Sequence, residues 1–302
     1  MNASHHTHHA GHGNHGHHAN HGEAGGTGIA HATADTHGDH SDPTPAHAGH
    51  HSHTGHDAGV FPGGLLVTQD GYSLELADTV LQPGEIDFRF RILGPDGQPV
   101  TDYTPIHDKE LHLIVARREL TGFWHVHPQR AADGTWSVRL DLPEAGAYRV
   151  FTDIAPRNLG RTITLGADLA VAGNYAPLPV PGPARTTVVD GYEVELGGDL
   201  VAGEGRQLTL TVRKDGAPVT DLQPYLAAFG HLVVLRAGDL AYIHVHPNGE
   251  PGDGVTAPGP DIGFHTVVPG PGVYRLFLDF KHRGTVRTAA FTLPTATTHR
   301  HH

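Results

Sequence analysis

The chain of 302 residues contains no cysteine, and its one methionine is Met1. The first absence excludes a disulfide framework, a thiolate metal site and a cysteine nucleophile. The second excludes thioether ligation of cuprous copper. Basic residues are few: formal charge is −12 with histidine neutral, so no face suited to nucleic acid is expected. No apolar run approaches the roughly 18 residues of a membrane-spanning helix, so no membrane span is expected. The N-terminus lacks the positive, apolar, small-residue order of a secretory signal. The direct reading is therefore a cytoplasmic protein, with an extracytoplasmic location as the alternative if the true start lies elsewhere or the chain is processed. There is no Gly-x-Ser-x-Gly, no phosphate-binding loop, no dinucleotide fingerprint and no His-Glu-x-x-His. On these grounds no enzyme is expected, and no catalytic residue is assigned.

What the chain has in excess is histidine, 29 in all. Residues 1–58 carry them singly and in pairs (His5-His6, His8-His9, His17-His18, His50-His51), separated by Gly, Ala and small polar residues. Such a segment cannot bury enough surface to offset backbone entropy, so disorder is expected there and in the short tail 295–302. Expression tags are usually one uninterrupted histidine run, whereas this tract is irregular and long, which favours an encoded arm.

The rest of the chain says the same thing twice. His112-Leu-Ile-Val-Ala-Arg…Phe-Trp-His125-Val-His127-Pro128 returns as His231-Leu-Val-Val-Leu-Arg…Tyr-Ile-His244-Val-His246-Pro247, with all three histidines offset by 119. Asp70-Gly71-Tyr72 matches Asp190-Gly191-Tyr192, and Pro99-Val-Thr-Asp102 matches Pro218-Val-Thr-Asp221. A Gly/Pro-rich stretch, Asn248 to Pro260, then lengthens the second copy, and the offset becomes 126 at Tyr148 and Tyr274. The period is too long for a solenoid. We expect two domains, 59–173 and 183–294, joined by a stiff proline-rich linker over 174–182.

Period-two segments such as Phe88–Ile92, Leu208–Val212 and Tyr274–Phe280 predict strands, and turn chemistry recurs between them. No segment has a helical period. About seven short strands per repeat predict an all-β chain of two tandem immunoglobulin-like β-sandwiches. Gly146-Ala-Tyr148 and Gly272-Val-Tyr274 resemble the tyrosine corner of such domains.

The histidines fall on a predicted hairpin. A turn at Gly238-Asp239 pairs residues whose numbers sum to 477, setting His231 opposite His246. The equivalent centre, Glu119-Leu120, sets His112 opposite His127 and Ile114 opposite His125. Alternation then sends all three histidines of a repeat to one face and Leu113, Val115, Trp124 and Val126 (or Leu232, Val234, Ile243 and Val245) to the core. The strand starting at Tyr148 or Tyr274 runs beside the hairpin and brings Asp153 near His112 and Asp279 near His231. The candidate metal ligands are therefore His112, His125, His127 and Asp153 in one repeat and His231, His244, His246 and Asp279 in the other, with His265 as an extra ligand. His107 and His282 have no counterparts and are expected at the surface. The competing reading is a structural polar cluster, with Arg149 or Arg275 occupying the carboxylates.

The run from His112 through His125-Val-His127-Pro128, followed by Gly146-x-Tyr-Arg-x-Phe-x-Asp153, resembles a little-characterised group of bacterial, often exported, immunoglobulin-like domains found near heavy-metal or copper functions. The resemblance spans both repeats and not the N-terminal arm. It implies a β-sandwich and an association with metal, and no specific activity.

The expected function is non-enzymatic binding of a divalent transition metal (copper, nickel or zinc) for buffering, storage or delivery. The arm supplies capacity and each β-sandwich holds one His/Asp site. The expected partners are metal ions and a metal transporter or metalloprotein client. The alternative is an adhesion or interaction module whose arm serves solubility or pH response.

Overall fold

The computed structural model describes residues 61–296, and every regular element among them is a strand. In the first repeat these are β1 (Thr68–Gln69), β2 (Tyr72–Leu76), β3 (Val80–Leu81), β4 (Gly84–Leu93), β5 (Leu111–Arg117), β6 (Phe123–Val126), β7 (Gln129–Arg130), β8 (Trp136–Leu142), β9 (Gly146–Ile154) and β10 (Ile163–Val171). In the second they are β11 (Thr186–Val189), β12 (Tyr192–Gly197), β13 (Gly205–Lys214), β14 (Ala217–Pro218), β15 (Gly230–Arg236), β16 (Tyr242–Ile243), β17 (Val245–Pro247), β18 (Asp261–Val267), β19 (Val273–His282) and β20 (Thr285–Pro294). No helix of the described chain is long and apolar enough to cross a membrane. The His-rich arm and the last residues of the tail lie outside the described residues.

Each repeat is a two-layer sandwich. The first sets a sheet β1-β2-β4-β8-β7 against a sheet β3-β10-β9-β5-β6. The short β3 pairs parallel with the last strand β10 while the other ladders are antiparallel. This order, with a first strand divided between the two sheets, is that of an immunoglobulin-like domain. The second repeat keeps the strand order without a counterpart of β3, as β11-β12-β13-β18-β17 against β16-β15-β19-β20. Two tyrosine corners close the repeats: Tyr148 Oη donates to the Glu144 carbonyl at 2.6 Å and Tyr274 Oη to that of Gly270 at 2.7 Å.

Alternation builds the two cores. Leu113, Val115, Tyr148 and Val150 face Phe88, Phe90, Ile92 and Trp136 in the first. Leu232, Val234, Leu276 and Leu278 face Leu208, Leu210 and Phe264 in the second. The other side of the β5/β9 sheet is buried as well. Ile114, Ala116, Leu120 and Phe151 pack there against Val233, Leu235, Leu240, Tyr242 and Phe277 of the second repeat. The Phe123 and Phe277 rings stack at 4.1 Å, nearly parallel. Arg275 Nε donates to the Leu120 carbonyl, one further tie across the join. The two sandwiches therefore meet through the faces that carry the histidines.

Candidate metal centre

The hairpin register follows from the turn. Arg117 N–H bonds to the Gly122 carbonyl and Arg236 N–H to that of Ala241, with Leu120 and Leu240 in the left-handed region. Ile114 lies opposite His125 and Val234 opposite Ile243, the register expected from the sequence. The neighbouring strand sets His112 opposite Asp153 and His231 opposite Asp279, again as expected.

The side chains then depart from the two-site expectation. Asp279, a strand neighbour of His231, turns across the interface, and its Oδ2 accepts from His125 Nδ1 of the first repeat at 2.7 Å. Both are shielded, with side chains 1% and 4% exposed. Asp153 does the converse: its Oδ1 lies 3.3 Å from His244 Nε2 of the second repeat. Each carboxylate is held from behind by a threonine, Thr288 for Asp279 and Thr164 for Asp153. The expectation of one self-contained His/Asp site per repeat is corrected on this point. With the histidine faces packed together, the nearest imidazole for each carboxylate belongs to the other repeat.

His112, His125 and His127 converge in the first repeat, with one ligand nitrogen from each lying within 4.8 Å of the others. His112 Nδ1 is 3.1 Å from His125 Nε2 and 3.2 Å from His127 Nε2. The hydrogen bonds behind them set the tautomers. His112 Nε2 faces the Ile106 carbonyl at 2.8 Å and must donate, so its Nδ1 carries the lone pair. His125 Nδ1 must donate to Asp279, so its Nε2 carries the lone pair. With one proton on each ring, the two nitrogens that face each other at 3.1 Å are both acceptors. Imidazoles sharing a metal at about 2.0–2.1 Å would have ring centroids roughly 5 Å apart. The three centroid separations here are 5.4, 4.9 and 4.9 Å.

A tight turn builds the support. Ile106 and Lys109 exchange backbone hydrogen bonds around His107 and Asp108, both with positive φ. This turn type requires positive φ at both central positions, and it presents the Ile106 carbonyl to His112. His107, expected at the surface, is half-buried, and its ring lies 6.2 Å from that of His112 and 5.6 Å from that of His231.

Burial, reinforced by His125, pushes His112 down to about 4. Burial, then His125 and His112, pushes His127 down to about 3. His231 is lowered by burial and by the same neighbours. His244 goes the other way, raised by the Asp153 carboxylate beside it. Burial alone would raise the Asp153 carboxyl, but His244, Thr164 and His112 outweigh it and hold it low.

The second trio does not assemble. β16 ends at Ile243, and Val245–Pro247 crosses to the other sheet to pair with β18. In the first repeat this crossing waits until Gln129, three positions later in the repeat frame. The pairing continues into the added stretch through the Asn248 N–H and Gly263 carbonyl. His246 ends up exposed, opposite an exposed His265. Neither belongs to the three-histidine group. His282, expected at the surface, is buried instead, with Nε2 facing Asp221 and Nδ1 facing the Tyr192 hydroxyl. Its position at the end of β19, against the start of β12, explains the burial.

Arg149 and Arg275 leave Asp153 and Asp279 alone. Arg149 binds the Gly64 and Leu65 carbonyls and Asp168. Arg275 binds Leu120 and Thr292. The ion-pair alternative for Asp153 and Asp279 is therefore not what forms.

A family model described as "Domain of unknown function (DUF8832)" matches the chain twice, over 67–171 and 186–297. No curated protein matches. Among solved structures the chain is similar to the Lin-41 filamin domain at 13% identity, covering 38% of this chain and 98% of that one, TM-score 0.24. It is similar to InvD of Yersinia pseudotuberculosis at 11% identity, covering 78% and 61%, TM-score 0.25. It is also similar to the D00-D0 domain of Intimin at 13% identity, covering 74% and 98%, TM-score 0.22. Likenesses at this level leave the fold assignment resting on strand order alone.

Proposed function

The chain belongs to the DUF8832 family through both of its repeats, and from the geometry between those repeats we propose that it binds a divalent transition metal without catalysing a reaction. The observation that carries this reading is the 3.1 Å approach of two acceptor nitrogens, His112 Nδ1 and His125 Nε2. Buried neutral imidazoles gain nothing from such a contact; a cation between them turns it from repulsive to bonding. His125 backed by Asp279 has the form of the carboxylate–histidine pairs that orient metal ligands and raise their basicity. Three imidazoles and no thiolate suit copper(II), nickel or zinc, with copper leading in affinity. The histidines of residues 1–58 add capacity on composition alone, which fits buffering or delivery to a transporter or a client metalloprotein.

Metal stoichiometry of residues 59–302 against the full chain tests this. One tightly held equivalent in the shorter form, removed by His127→Ala, and several more in the full chain are expected. No metal held by residues 59–302 at neutral pH would end the proposal for the folded part.

A further inference from the structure

The three-histidine group leaves one corner of a tetrahedron open, and the second repeat has an imidazole beside it. His231 Nδ1 is buried without a hydrogen-bond partner. Its ring centroid is 4.7 Å from that of His125 and 5.3 Å from that of His112. Both separations match the spacing among the three ligands themselves. The ring lies parallel to His112, within 4°, so it shares the cluster by stacking and leaves its nitrogen unused. A buried polar atom without a partner costs about 1–3 kcal/mol, and natural structures seldom keep one without a reason.

Building on the metal-binding reading above, we infer that His231 supplies the fourth ligand and makes the centre a clasp between the repeats. A rotation of its ring brings Nδ1 onto the metal. His112, His125 and His127 come from the first repeat, His231 from the second, and Asp279 of the second repeat orients His125 of the first. Four protein ligands close the coordination sphere, as in structural sites, whereas catalytic sites keep a position for water or substrate. The metal then has no place to bind and turn over a substrate, and it ties the apolar join of Phe123, Phe151 and Phe277 from one side.

Cobalt(II) in the full-length chain reads both claims, because four-coordinate cobalt absorbs strongly in the visible while the six-coordinate ion absorbs weakly. Loaded wild type is expected to show strong visible bands that His127→Ala lacks and that do not move when azide is added. His231→Ala is expected to keep bands of altered shape that now shift with azide, since the anion takes the vacated corner. Azide-sensitive bands in wild type, or a His231→Ala spectrum identical to wild type with or without azide, would overturn the clasp while leaving metal binding intact. Wild type and His127→Ala with the same weak bands would remove the metal reading itself. If His231→Ala does not fold, the wild-type response to azide decides the matter alone.

Discussion

The two repeats carry the same three histidines in the same register, yet only one trio comes together. In the first repeat β6 stays beside β5 through Val126, so His125 and then His127 remain on the face of His112. In the second repeat the strand leaves after Ile243, which aims His244 at Asp153 and exposes His246. The sequence difference that accompanies this is the added stretch Asn248 to Pro260 just beyond the motif. Where an edge strand crosses between sheets decides which copy of a duplicated motif can hold a ligand. The copy that does not assemble still contributes, because its Asp279 and His231 complete the surroundings of the other.

This asymmetry can be broken at several points. The largest effect should come from the shared apolar join: Phe277→Ala removes a ring that is 3% exposed and stacked on Phe123. Truncations of this kind cost about 3–5 kcal/mol. Calorimetry should show the repeats melting separately in this variant.

Acid should come next. His112 is neutral in the folded chain down to about 4, while an unfolded histidine takes its proton near 6.5. The unfolded state therefore binds the proton first as pH falls. Stability tied to His112 is complete above about 6.5 and is lost progressively toward pH 4, by about 3 kcal/mol. His127, held down to about 3, adds to the same loss. His244 has the opposite sign, since its affinity for protons is raised by Asp153. Its contribution is present below about 6.5 and is lost as pH rises through its elevated value. Denaturant melts between pH 4 and 8 should show a net fall in stability on the acid side, shallower in His112→Gln.

The two crossed carboxylates should differ in the same direction. Asp279→Ala strands the buried His125 N–H, for about 1–3 kcal/mol of stability and a roughly 10–100-fold loss of metal affinity. Asp153→Ala frees a His244 that is already 45% exposed, so solvent replaces much of the lost bond and about 1 kcal/mol or less is expected. Chemical denaturation of the pair, with and without metal, measures both.

Much of this was legible in the sequence. Residue numbers summing to a constant across a turn gave the hairpin register, and alternation gave the face. Neither could say what covers that face. One signal was available. Leu111-His-Leu-Ile-Val-Ala is apolar at both parities apart from His112, and a strand apolar on both sides is buried on both sides. All seven residues of β5 are in fact buried. Read that way, Ile114, Val233 and Phe277 foretell a docked face, and with it the exchange of carboxylates between repeats. The early crossing of β17 was not legible, because His244-Val-His246-Pro reads like its counterpart and the difference lies in how the following loop pairs. The burial of His282 was hidden for a similar reason, since its partners Tyr192 and Asp221 are distant in the chain.

The most direct test of the central claim is the rise in melting temperature caused by one metal, taken in turn as copper(II), nickel or zinc, in full-length wild type, His127→Ala and His246→Ala. Metal held by the N-terminal histidines should bind folded and unfolded chains alike, so only a site made by folding raises the temperature. The account predicts that wild type and His246→Ala rise equally and that His127→Ala does not rise with any of the three. Equal partial losses in both variants would mean two equivalent sites, one per repeat, and would contradict it.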